Sequence, residues 1–175
     1  MKSFKRILQE IVMYHLKDHT PVQLTIPANH ATVLGRWAST GRTLDRSRKL
    51  LGDHPHNEEI DNTKHTTNVL QKAVQEQLLK QGEGKDKGYI STGYGKVPYT
   101  DFKSPTTVTA HIPNMYIDKL KSHKDNFYNR TAEHMENLPI HDNEEVEQDM
   151  MYNHDELKEV GPAMDWLHSE VKKQI

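Results

Sequence analysis

A glycine-rich stretch near the middle of the chain limits how long any helix can be. Five glycines between Gly82 and Gly95 are interspersed with lysines and with Tyr89, Tyr94 and Tyr99. Glycine loses more backbone freedom on folding than any other residue, so this density excludes a helix. We expect a flexible loop over residues 82–105, extended or as a loose hairpin, and we expect its tyrosines to contact a partner protein.

The N-terminus carries the clearest amphipathic pattern. Phe4, Ile7, Leu8 and Ile11 recur at helical spacing, while mostly basic and polar residues occupy the remaining positions. Ser3 is the predicted N-cap, because its hydroxyl can accept a hydrogen bond from the first free N–H groups. The pattern predicts an amphipathic N-terminal helix within residues 1–20, whose apolar face is a candidate for docking in a groove on a partner.

The rest of the chain, 21–175, is predicted to form a single small domain. Its fold class is α+β and mostly helical, with about five helices, a few short strands and the Gly/Tyr-rich loop. Alternating apolar residues predict strands at 22–26 and 106–112, whereas 28–39 fits neither a strand nor a helix period. Helical spacing and terminal Gly or Pro predict helices at 44–51, 58–81, 113–137, 143–158 and 162–175.

The composition limits the core and points to a partner. Only 34% of the residues are hydrophobic, below the usual share, so we expect a thin core that a neighbouring surface helps to complete. The net charge of −2 hides an asymmetry, because residues 1–51 carry nine Lys/Arg against three acids, whereas 133–160 carry ten acids against one lysine. Opposite charge at the two ends favours intramolecular or head-to-tail complementarity, with a protein partner or a second copy.

Other classes of function are disfavoured by what the chain contains. The slightly acidic net charge argues against nucleic-acid binding. If the chain did bind nucleic acid, its affinity should fall steeply as the salt concentration rises. The absence of cysteine excludes disulfides and thiolate metal sites, and no apolar run is long enough for a membrane span. We expect no cofactor, and no secretory signal is visible.

Twelve histidines make hydrolytic chemistry the alternative hypothesis. His54, His56 and Glu58 gather in one loop, and imidazole with carboxylate ligands suits zinc, manganese or iron. His30-Ala31-Thr32-Val33 resembles the His-x-Thr-hydrophobic unit of two-histidine phosphoesterases, which place paired imidazoles from two strands on a phosphodiester. His111 and His65 are the candidates for its second unit. The alternative is therefore a phosphodiesterase or metal-dependent hydrolase using His30 or the His54/His56 loop.

The first ten residues resemble a known class of leader. Met1-Lys2-Ser3-Phe4 followed by Leu8-Gln9-Glu10 is similar to the amphipathic leaders of proteins packaged in the heads of large tailed bacteriophages, whose Leu/Ile-x-Glu site a prohead protease cuts. The resemblance implies a virion or host-cytoplasm location. Because no complete catalytic constellation is visible, the expected function is that of a non-enzymatic bacteriophage-type structural or assembly protein docking on a larger protein partner.

Overall fold

The computed structural model describes residues 3–7, 17–36, 40–82, 87–92 and 95–175, without the side chains of 87–99. After a helical turn at 4–7, the elements are β1 (His19–Ile26), α1 (Ala28–Arg36), α2 (Thr40–Leu51), α3 (His56–Gln81), β2 (Lys87–Thr92), β3 (Gly95–Thr100), β4 (Thr106–Pro113), a 3-10 helix (Asn114–Tyr116), α4 (Ile117–Ser122), α5 (Phe127–Glu136) and α6 (Glu144–Lys172). The mostly helical α+β class is confirmed. The helix count was wrong, since these residues contain six α-helices and one 3-10 helix instead of about five.

The two predicted strands pair with each other across 80 residues of chain. β1 and β4 run antiparallel, with Val22 opposite Ala110 and Leu24 opposite Val108. In each strand alternate residues are buried, as expected for a two-stranded sheet with one face on the core. Helix α3 packs on β4, so this sheet forms one wall of the domain.

The helices of the first half largely follow the sequence pattern. The ambiguous segment 28–39 forms helix α1 over its described part, because Ala31 and Leu34 face the core. Helix α2 ends at Leu51, and Gly52 follows in the left-handed region with φ +61°, which favours glycine. Helix α3 begins at His56, close to the predicted start at Glu58, and buries one apolar stripe along its length.

Two predicted helix boundaries in the second half were wrong. The helix predicted from Pro113 to Asn137 is interrupted, since α4 ends at Ser122 and Asn126 takes a left-handed conformation with φ 57° before α5. The helices predicted on either side of Gly161 and Pro162 are instead one 29-residue helix, α6. Proline removes one hydrogen bond from a helix, but residues on both sides of Pro162 are buried and hold the helix continuous.

The core is larger than the composition suggested. Twenty-six buried apolar residues form one continuous cluster among the described residues. Buried polar side chains fill the space between them, among them Thr40, Ser47, Gln71 and Asn153. Thr40 donates to Gln71 (2.9 Å), and Asn153 donates to Ser47 (2.6 Å). A count of apolar residues therefore underestimates this interior, because hydrogen-bonded polar groups pack within it.

The glycine-rich segment contains a hairpin. β2 pairs antiparallel with β3, which lies against α1, and the loose-hairpin alternative is the one observed in its described part. At its base, Gly82 approaches Thr100 so closely that a Cβ would overlap the threonine side chain.

None of the helices in the described residues has the length and apolar content of a membrane span.

Candidate functional site

The N-terminal turn, residues 4–7, leaves its apolar side chains in solvent. Ser3 caps it as predicted, since its hydroxyl accepts a hydrogen bond from the Arg6 N–H (3.3 Å). Phe4 is 78% exposed and Ile7 is 41% exposed. Leu8 and Ile11 lie outside the described residues. β1 begins at His19, within the segment 1–20 in which the helix was predicted.

Two of the three predicted tyrosines lie on the strands of the hairpin, whose side chains the structure does not describe. Tyr89 lies on β2 opposite Pro98, and Tyr99 lies on β3 opposite Gly88. Tyr94 lies outside the described residues. Their predicted role in partner binding therefore stays a prediction.

The three candidate metal ligands do not form one site. His56 is buried at the start of α3, whereas Glu58 is exposed. The rings of His54 and His56 are 6.5 Å apart, and that of His134 lies 4.6 Å from each. Within the part of the chain that the structure describes, no group of three or more His, Asp or Glu side chains is arranged to hold a metal ion.

His56 instead belongs to a hydrogen-bonded group between α3 and α5. Its Nε2 lies 2.8 Å from the Thr131 hydroxyl, and its Nδ1 lies 3.5 Å from a Glu59 carboxylate oxygen. Arg130 donates two hydrogen bonds of 2.6 Å to Glu59. Burial, reinforced by the neighbouring His134, lowers the pKa of His56 to about 4. The Arg130 hydrogen bonds lower the pKa of Glu59, so the carboxylate stays ionised.

This order of hydroxyl, imidazole and carboxylate resembles a hydrolase triad, but its hydroxyl is inaccessible. Thr131 is fully buried, and its hydroxyl donates to the Phe127 carbonyl one turn earlier (2.8 Å). A nucleophile must reach the substrate, and Thr131 cannot in this conformation. The group therefore joins the start of α3 to α5.

A cleft of about 540 Å³ lies beside this group, between the start of α3 and α4. Its walls carry both signs of charge: Glu58 and Glu59 on one side, Lys119 and Lys124 on the other. His56 forms part of the floor. The mixed charge gives the cleft no preference for an anion or a cation.

Aromatic and imidazole rings form a continuous row from this loop into the core, which we call the histidine row. Its members are His54, His134, His56, Phe127, His123 and His168. Desolvation lowers the pKa of His123 to about 4 and that of His168 well below its usual value. Sequence reasoning missed the row because its members come from four separate segments. The only sequence signal was the number of histidines.

The phosphoesterase-like residues occupy unrelated positions. His30 lies on helix α1, not on a strand, with its ring 5.6 Å from that of Trp166. His111 lies on β4 opposite Pro21, and the His65 ring nitrogen lies 3.0 Å from the Tyr116 hydroxyl. The described contacts of His30 include no second imidazole, so the paired arrangement that this chemistry needs is not seen there.

The first half of α6 exposes apolar residues that sequence reasoning overlooked. Met151 is 64% exposed and Tyr152 is 65% exposed, on the face of the helix opposite buried Asn153 and Leu157. Spacing could have revealed them, because both fall on the same face as Glu144, Glu145 and Asp155.

Comparison of the chain with protein-family models, with curated proteins and with solved structures finds no match.

Proposed function

We propose that this chain is a non-enzymatic structural or assembly protein of bacteriophage type, which docks on a larger protein partner through its N-terminal segment. The observation that carries the proposal is the exposure of Phe4 and Ile7 on a capped helical turn. Burial of each such side chain contributes about 1.5–3 kcal/mol, so exposed aromatic and aliphatic residues on one helix favour a protein contact.

The body of the domain supports this interpretation, because its interior is closed without the N-terminal turn. The core cluster draws on β1, β4 and all six helices, and Phe4 and Ile7 are not among its members. Their apolar character therefore has no role in holding the described fold together. A recognition role accounts for it.

The bacteriophage assignment and the virion or host-cytoplasm location rest on the resemblance of residues 1–10 to head-protein leaders. The amphipathic pattern of that segment would serve docking whether or not the Leu8-Gln9-Glu10 site is cut. The pattern and the exposure of Phe4 and Ile7 support the same role.

The test compares variants of the full chain in a pull-down from the cells in which it assembles. Ile7→Glu and Ile11→Glu each place a charge on the apolar face and should abolish partner recovery, while circular dichroism stays unchanged. Gln9→Glu adds the same charge at a position that the pattern assigns to the polar face, and it should recover the partner as the original chain does. Full recovery by both isoleucine variants would refute the proposal.

The alternative is a phosphodiesterase or metal-dependent hydrolase, and the cleft beside His56 is the observation in its favour. Metal analysis of the purified chain and a phosphodiesterase assay of His30→Ala address it. Stoichiometric zinc, manganese or iron, or an activity that His30→Ala removes, would favour the hydrolase over the docking protein.

A further inference from the structure

The solvent face of the first half of α6 is both acidic and apolar. Six exposed residues recur there at helical spacing and form what we call the acidic stripe: Glu144, Glu145, Gln148, Met151, Tyr152 and Asp155. At 1.5 Å per residue the stripe is about 16 Å long. Met151 and Tyr152 lie at its centre, with carboxylates towards both ends.

The charge of this surface is largely uncompensated by the described residues. Glu144 and Glu145 form no ion pair with any residue that the structure describes. Basic residues near this part of α6 are already engaged, because Lys158 pairs with Glu136 (3.1 Å), Arg46 of α2 pairs with Glu156 (3.3 Å) and Arg36 of α1 pairs with Glu159. Asp155 has only a distant neighbour, the His154 ring nitrogen at 3.9 Å. A cationic partner would therefore meet little competition here.

The N-terminal turn has the complementary pattern. Phe4 and Ile7 provide exposed apolar surface, and Lys5, which is also exposed, lies between them in sequence. Both surfaces are exposed in the same copy of the chain, so the turn does not lie on its own acidic stripe. A second copy can supply what each surface lacks.

We propose that the N-terminal segment of one copy docks on the acidic stripe of a second copy, with Phe4 and Ile7 against Met151 and Tyr152. This inference goes beyond the proposed function, because it gives the segment that docks on a larger partner a second contact, with another copy of the chain. Two different surfaces of one chain then meet in a head-to-tail contact, which adds copies in succession unless the ring closes. Carboxylates around the apolar centre set the orientation and speed association.

Sedimentation of the full chain over a range of concentrations tests the proposal. At about 30 mM salt the average mass should rise with concentration, and at about 300 mM salt the rise should shrink, because salt screens exposed charges. Lys5→Glu and Glu144→Lys/Glu145→Lys should each shift the association to higher concentration, the second by at least tenfold. Glu76→Lys/Asp118→Lys changes the net charge as much as the second variant, at exposed sites elsewhere, and should associate like the original chain.

The decisive measurement mixes the two charge-reversed variants. In the mixture the reversed segment meets the reversed stripe and the two unaltered surfaces meet each other, so the two variants together should associate at a concentration at which each alone stays monomeric. Tyr152→Ser, which leaves every charge in place, should also weaken association. A chain that stays monomeric at low salt, or reversals that change nothing, or a mixture that fails to associate, would overturn the proposal.

The pull-down described above separates this inference from the proposed function. A monomeric chain whose larger partner is still lost in Ile7→Glu overturns only the self-association. A monomeric chain whose two isoleucine variants both recover the partner overturns both.

Discussion

The imidazole rings of His123 and His168 stack nearly parallel in the core, with centroids 3.8 Å apart and planes 12° apart. The stack joins the segment before α5 to the last turns of α6. One nitrogen of each ring, Nε2 of His123 and Nδ1 of His168, is buried without a hydrogen-bond partner among the described residues. Two uncharged rings can stack in this way, whereas two protonated rings would repel each other.

Acid should therefore destabilise the fold well above the pH at which carboxylates titrate. His56, His123 and His168 are neutral in the folded state because their pKa values are lowered, to about 4 for the first two. In the unfolded chain they bind protons near pH 6.5, so stability is present above that pH and is lost as pH falls towards 4. Three histidines imply a loss of about 3–4 kcal/mol per pH unit within this window. Urea unfolding at pH 7.5, 6 and 5 measures it.

Two substitutions test whether the buried histidine rings cause this loss of stability at low pH. His168→Leu removes one buried proton acceptor and should reduce the slope by about one third. His141→Gln alters an exposed histidine and serves as the control. The charged groups that act on these rings are Glu59, Arg130, Lys172 and Asp125, and the titratable rings of His54 and His134 lie beside His56. Constant stability between pH 7 and pH 5 would contradict this account.

The Arg130–Glu59 pair should contribute measurably because it is half-buried and doubly hydrogen-bonded. Arg130→Ala leaves the Glu59 carboxylate without its two donors and should lower the free energy of unfolding by about 1–3 kcal/mol. Arg130→Lys keeps the charge but cannot form the paired contact, so it should lose part of that amount. Lys173→Ala removes an exposed pair with Glu170 and serves as the control, with a loss below about 1 kcal/mol. Urea unfolding at pH 7 compares the three.

Gly82 should tolerate no side chain, because the hairpin base lies against it. Its Cβ would lie 2.9 Å from the Thr100 Cβ, so Gly82→Ala forces the end of α3 and β3 apart. We expect a loss of about 1–3 kcal/mol in thermal or urea unfolding. Gly82→Ala combined with Thr100→Ala, which removes both the hydroxyl and the methyl group that obstruct the new Cβ, should recover part of it. An unchanged Gly82→Ala protein would show that the hairpin does not pack there.

Removing the exposed N-terminal side chains should leave the fold intact. Phe4→Ser and Ile7→Ser should change the free energy of unfolding by less than about 0.5 kcal/mol, as surface substitutions usually do. Leu70→Ala, at a fully buried position on α3, should cost about 2–5 kcal/mol. Chemical unfolding of the isolated chain checks both. A large loss from either serine variant would mean that the N-terminal segment belongs to the core.

Local patterns in the sequence were sufficient to locate an element when one of its sides is buried along its whole length. The alternation in β1 and β4 and the apolar stripe of α3 each reflect a single buried face, so periodicity located them to within a few residues. The pattern failed at Pro162, because the energy that keeps α6 continuous comes from residues packed against other helices. The pattern also failed at Asn126, where a residue in the left-handed conformation interrupts the predicted helix just before α5 begins.

By itself, the sequence determined the mostly helical α+β class, the strands β1 and β4 and the long helix before the glycine-rich segment. Only the tertiary structure decided that β1 pairs with β4, that five histidines join one row, and that Met151 and Tyr152 stay exposed on an acidic face. The physical reason is that periodicity reports which side of an element is buried, whereas these features depend on which distant element lies against it. Contacts between residues far apart in the chain leave no local signal in a single sequence.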